Sequence, residues 1–168
     1  MTIIINFEYN VVMNKYDRIS AINYAQKYAL SPNPNFYHFG GIGGDCTNFI
    51  SQCLLAGGCN MQYSSNGWYY NSSYDRSPSW TSVSELHNFL LNNKKSGPHG
   101  EIISLNSLEI GDIIQLKQNT SRFNHTVIIT KIQNGEIYVC AHSNDALHRK
   151  LSTYNFIELI PIHIIKIP

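Results

Sequence analysis

Gly43-Gly44-Asp45-Cys46-Thr47-Asn48-Phe49-Ile50-Ser51-Gln52-Cys53-Leu54-Leu55-Ala56-Gly57-Gly58 reads as a glycine turn, a capping residue, one helix and a glycine stop. Asp45 is suited to cap the helix by accepting hydrogen bonds from its first free N–H groups. Gly57 and Gly58 are suited to the left-handed conformation that ends helices. Phe49, Ile50, Cys53 and Leu54 share the face of Cys46 at helical spacing, so this helix is expected to be buried with a thiol in its first turn. A helix N-terminus carries partial positive charge, which favours thiolate over thiol and predicts a lowered pKa for Cys46. The glycines before it allow a substrate backbone to come close. Most free cysteines are small buried residues, but this one stands on a glycine-flanked helix start. That is the setting of a nucleophile.

Outward from this helix, the chain divides into helices first and strands second. Asn14 is a candidate cap for a helix over about 15–30, with Ile19, Ile22, Ala25 or Gln26, and Ala29 as its packing stripe. Residues 1–14 read as an N-terminal arm. Ser31-Pro32-Asn33-Pro34 ends the helix because proline cannot continue it. Residues 59–81 form a long aromatic loop holding Trp68, Tyr69, Tyr70 and Trp80. A loop of that length is usually functional, so these rings read equally as a substrate groove or as a lid packed on the core. Ser82-Val83-Ser84-Glu85 is a capping box for a helix striped by Val83, Leu86, Phe89 and Leu90.

From residue 101 onward the pattern is β. Short strands are predicted over Glu101–Leu105 and Ile113–Leu116, and a last one over Ile160–Ile167. His125–Ile132 and Glu136–His142 flank Asn134-Gly135, a strong hairpin signal. The class is therefore α+β, with the Cys46 helix packed on an antiparallel sheet. A chain of 168 residues suits one domain, residues 1–168, with one core.

A net charge of +1 with 14% charged residues leaves no electrostatic footprint for nucleic acid. Four cysteines, at 46, 53, 59 and 140, lack the paired short spacings of a zinc site, so no metal and no cofactor is expected. No basic region precedes the short apolar run at the N-terminus, and no run reaches the length of a membrane span. A cytoplasmic chain without a membrane partner is the expectation.

A thiol nucleophile needs a base that takes its proton and returns it to the leaving group. Seven histidines are available. His87 falls on the solvent side of a helix, His99 in a loop, and His163 in the last strand. His125 stands out because it opens a strand, where it can reach the start of a helix packed beside the sheet. If Asn134-Gly135 is a two-residue turn, Gln133 pairs with Glu136 and His125 falls opposite Asn144. His142 then shares its face diagonally and is preferred as the group that orients it, with Asn144 and Asp145 behind. A one-residue change would bring Ser143 and Asp145 there instead.

Gly43-Gly44-Asp45-Cys46-Thr47-Asn48-Phe49-Ile50-Ser51-Gln52-Cys53-Leu54 resembles the bacterial "Putative amidase domain" family, within the papain-like clan of cell-wall peptidases. Tyr16-Asp17-Arg18, the Asn33-Pro34 turn, Ser79-Trp80, Gly111-Asp112-Ile113-Ile114, His125-Thr126-Val127-Ile128 and Ala141-His142-Ser143-Asn144-Asp145 fit as well. The resemblance spans about residues 15–165. It implies a papain-like fold with Cys46 as nucleophile, His125 as base and His142 as third member.

Cys46 is then expected to attack an amide or thioester carbonyl and form an S-acyl enzyme. Asp45 supports the site, and the Cys46 backbone N–H helps hold the oxyanion. Trp68, Trp80 and Tyr69 are the candidate substrate contacts. Water as acceptor gives an amidase or peptidase. An amine gives an ATP-independent transamidase or acyltransferase drawing on a carrier thioester. The partner is a small-molecule or peptide acyl substrate, with an acyl-carrier protein as a further candidate donor. A binding module with a dead site is the third reading, and the intact Cys-His pair speaks against it.

Overall fold

The computed structural model describes residues 15–168, so the arm and its Asn14 cap lie outside the described residues. Among the described residues, four α-helices are followed by six strands: α1 Arg18–Tyr28, α2 Cys46–Ala56, α3 Pro78–Thr81, α4 Val83–Asn92, then β1 Gly97–Ile102, β2 Ile113–Lys117, β3 His125–Gln133, β4 Glu136–Ala141, β5 Ala146–Lys150 and β6 Glu158–Ile167. The strands form one sheet in the order β1-β6-β2-β3-β4-β5, and every neighbouring pair is antiparallel. The fold is α+β, as the patterning predicts. The last strand threads between β1 and β2, which makes a non-local closure of the chain.

Alternation along the strands separates two apolar layers. Ile113, Ile128, Cys140, Ile162 and Ile164 face α2, whose Phe49, Ile50, Cys53 and Leu54 are fully covered. Ile114, Leu116, Val127, Ile129 and Val139 line the other face with Ala146, Leu151 and Tyr154. Every residue of α2 from Cys46 to Leu54 is buried, so the helix is enclosed rather than merely amphipathic. Among the described residues, no helix is long and apolar enough to cross a membrane.

Local chemistry sets several boundaries away from those expected. Asp17 caps α1 by accepting from the Ser20 N–H at 3.0 Å. The buried stripe of α1 is Ala21, Ile22 and Ala25, and Ile19 points to solvent. Ser82 caps α4 as the capping box predicts, accepting from the Glu85 N–H. Of the two glycines ending α2, only Gly58 is left-handed, at φ 84°; Gly57 has φ −73°. The first strand begins at Gly97 rather than Glu101 because Gly97–Ile102 pairs with Ile162–Ile167. His99 therefore lies in β1, and His87 is not a solvent-side residue, since its Nδ1 meets the Gln115 Oε1 at 2.9 Å.

The buried Asp112 carboxylate pins α1 to the sheet. It accepts from Arg18 at 2.6 Å, the Ile164 N–H at 3.0 Å, the Glu109 N–H at 2.8 Å and the His163 ring at 3.0 Å. Four donors satisfy a charge that burial alone would make costly.

Candidate active site

Gly43 and Gly44, at φ 82° and 103°, turn the chain into α2. A side chain at Gly44 would press on Ser143 Oγ at 3.3 Å, while the space beyond Gly43 is open. Cys46 follows in the first helical turn and is buried, 7% exposed. Its Sγ lies 3.8 Å from Thr47 Oγ1 and takes a backbone hydrogen bond from Thr126. The thiol is thus set beside the first peptide of β3, immediately after His125.

The sequence reading predicts a lowered Cys46 pKa, and the structure reverses it. Burial pushes the thiol up, and the contacts from Thr126 and Thr47 offset this only in part. The helix end acts over a turn, but desolvation of the charged form acts on the whole group and wins here.

Asp45 does not cap α2, because its carboxylate is turned to other partners. Oδ1 accepts from the Phe39 N–H at 2.7 Å and from Asn48 Nδ2 at 2.8 Å. Oδ2 accepts from His142 Nδ1 at 2.5 Å. Ser143 Oγ accepts from the Asp45 N–H at 2.6 Å. The first N–H groups of α2 are therefore left without a side-chain cap.

His142 is sandwiched between this carboxylate and the Tyr28 carbonyl, to which Nε2 donates at 2.8 Å, and its ring stacks on Phe49 at 4.0 Å. Burial disfavours its charge, yet Asp45, Tyr28 and Asp145 together raise its pKa. Both ring nitrogens face acceptors, so both carry protons, and His142 and Asp45 form a buried ion pair.

His125 stands differently. The hairpin turns through Asn134 and Gly135, both at positive φ, and pairs Gln133 with Glu136 as expected. An irregularity between Ile129 and Lys131 then shifts the register to Ile128↔Cys140. Continued to the strand mouth, that register sets His125 opposite Ser143 and Thr126 opposite His142. His125 pairs with Leu116 and packs its ring 5.9 Å from that of Tyr154, on the face away from His142. Burial, assisted by the Arg149 charge, lowers its pKa to about 4, so it is neutral at pH 7.

The expected pairing of His142 with His125 is therefore corrected: His142 holds the start of α2 instead. Among the described residues, no hydrogen bond joins His125 to Cys46, Asn144 or Asp145, and the last two are exposed in the β4–β5 turn. One residue of bulge made the difference, and it falls where the strand alternation gives no sign of it.

The aromatic loop also resolves. Trp68 and Trp80 are fully buried, with their rings tilted against each other and 4.8 Å apart. Trp68 Nε1 donates to Ser51 Oγ at 3.0 Å and Trp80 Nε1 to Asn48 Oδ1 at 2.9 Å. They are core residues that brace α2, not substrate contacts, because each indole buries its ring once its one donor finds a partner. Tyr69 is half-buried, with its ring 5.0 Å from that of Tyr63.

Sequence reasoning missed Ser143 as a partner of Asp45, and also Asn48 and His38. Asn48 sits one turn along α2 from Asp45, a spacing that could have drawn notice. His38 Nε2 lies 3.7 Å from Asp45 Oδ2, and its ring is 5.7 Å from that of His142. One ligand atom each from His38, Asp45 and His142 lie within 4.8 Å of one another, the set able to hold a metal ion among the described residues.

Residues 15–165 match the family model described as "Putative amidase domain". Two proteins of Bacillus subtilis (strain 168) are similar. YhbB is 36% identical over 127 residues, covering 73% of this chain and 40% of that protein. YjcM is 30% identical over 143 residues, covering 79% of this chain and 32% of that protein. Both are named as uncharacterized proteins, and the chain spans well under half the length of each. No solved structure matches.

Proposed function

We propose that this chain, which belongs to the "Putative amidase domain" family, is a cysteine amidase that hydrolyses an amide through an S-acyl intermediate on Cys46. One observation carries the reading. The thiol sits at a helix start left uncapped by Asp45, beside the peptide that follows His125. Uncapped N–H groups at a helix start are suited to a developing oxyanion, which needs donors already in place.

The protonation states set the order of events. Burial keeps both Cys46 and His125 neutral at pH 7. The nucleophile is thus a thiol, not a preformed thiolate, and its proton passes to His125 as sulfur bonds to the carbonyl carbon, a transfer for which that ring turns from Tyr154 toward the sulfur. His125 then passes that proton to the departing amine as the C–N bond breaks. Water, deprotonated by the same ring, then attacks the thioester carbonyl; the C–S bond breaks, the ring gives its proton to the Cys46 sulfur, and the carboxylic acid leaves. Asp45 and His142 act on this chemistry through position, locking the start of α2 to β4 and to the end of α1.

Hydrolysis is favoured over transfer to an amine because the rings expected to exclude water, Trp68 and Trp80, are committed to the core. The substrate class is a small-molecule or peptide amide. An activated ester offered to the protein should leave its acyl group on Cys46, read by intact mass and peptide mapping, and Cys46→Ala should abolish both adduct and turnover. An adduct on Cys53, Cys59 or Cys140, or unchanged turnover by Cys46→Ala, overturns the assignment.

A further inference from the structure

We propose that His38, Asp45 and His142 form a binding site for one divalent ion of the zinc class. The two buried ligands are oriented as metal ligands are. His142 donates Nε2–H to the Tyr28 carbonyl at 2.8 Å, which fixes the tautomer that offers Nδ1. Asp45 Oδ1 is occupied by the Phe39 N–H and Asn48, which leaves Oδ2, now paired with His142 Nδ1, as the oxygen that meets the ion once the proton between them is lost. Asn48 is itself fixed, donating to the Tyr37 carbonyl at 2.9 Å and accepting from Trp80. Such outer hydrogen bonds to a ligating imidazole and carboxylate are the usual support of a metal site.

The third ligand closes the set from outside. The His38 side chain is 43% exposed, so an ion can enter past it. Its ring has room because position 40 is glycine: a Cβ there would meet His38 Cε1 at 2.5 Å. Ligand atoms around tetrahedral zinc stand about 3.3 Å apart. Asp45 Oδ2 is now 2.5 Å from His142 Nδ1 and 3.7 Å from His38 Nε2, so these two spacings need to change by less than about 1 Å, and the two imidazoles already stand within 4.8 Å of each other. The proton between Asp45 and His142 leaves to solvent as the ion binds. Two imidazoles and a carboxylate suit zinc, and three protein ligands leave one position for water.

This site does not rest on the amidase reading, and its test uses the Cys46→Ser protein, which has no nucleophile and no thiol at the site. Zinc is titrated in competition with a chromophoric chelator, and cobalt is read by its visible absorption. One equivalent should bind, with a tetrahedral cobalt spectrum lacking a thiolate band. His38→Ala, a change at an exposed residue, should weaken zinc at least about tenfold. Gly40→Ala, which displaces the His38 ring, should weaken it in the same direction. No binding above that of a chelator-only blank, or binding equal in all three proteins, overturns the proposal.

Discussion

Lowering the pH should load a specific cost onto the fold through His125. Its ring is 5% exposed, and burial with the Arg149 charge holds its pKa at about 4 against an ordinary 6.5. Between those two values the unfolded chain binds a proton that the folded chain refuses, so stability falls as pH falls. The contribution is complete above about pH 6.5 and is lost as pH drops through about 4. At about 1.4 kcal/mol for each tenfold difference in proton affinity, the loss approaches about 3 kcal/mol. Urea unfolding of the wild type and of His125→Gln, measured at steps from pH 7 to pH 4, isolates it. Other titrating groups, including His142 with its opposite slope, are common to both proteins and cancel in the difference. The wild type should lose about 3 kcal/mol more than the variant across that range. Parallel stability curves for the two proteins would refute the assignment of a buried, neutral His125.

Three further outcomes are expected. Iodoacetamide should label Cys46 slowly at pH 7 and faster as pH rises past 9, because burial raises its pKa; rapid labelling at neutral pH, read by peptide mass, would contradict a resting thiol. Asp45→Ala should lower stability by about 3–5 kcal/mol in denaturant unfolding, because it strands the buried His142 charge; a loss under about 1 kcal/mol would show that the pair is not closed in solution. Trp80→Phe should cost about 1–3 kcal/mol by leaving the buried Asn48 Oδ1 without its indole donor, and a neutral effect would mean that Asn48 is held otherwise.

Much of the architecture is local and therefore legible. The stretch from Gly43 to Gly58 specifies a buried helix with Cys46 at its start, since glycines, apolar spacing and chain direction are properties of adjacent residues. The Asn134-Gly135 turn, the Ser82 cap and the order of helices before strands are legible for the same reason. Family membership follows from the same motifs, which keep their order along almost the whole chain.

The relation between residues far apart in sequence was decided only by the tertiary structure. A single irregularity near Thr130 moved His142 to the other face from His125 and delivered it to Asp45. That contact turned an expected helix cap into half of a buried ion pair and left the helix start open. The direction of the Cys46 pKa was decided the same way. A helix N-terminus can be read from spacing, but desolvation depends on what the rest of the chain lays over the thiol. The tryptophans repeat the lesson. Their polar handles needed Ser51 and Asn48 on another element, and only packing could show that both were met inside the core. Spacing fixes what a residue can offer locally, and the sum of non-local burial decides which charge, face and partner it has.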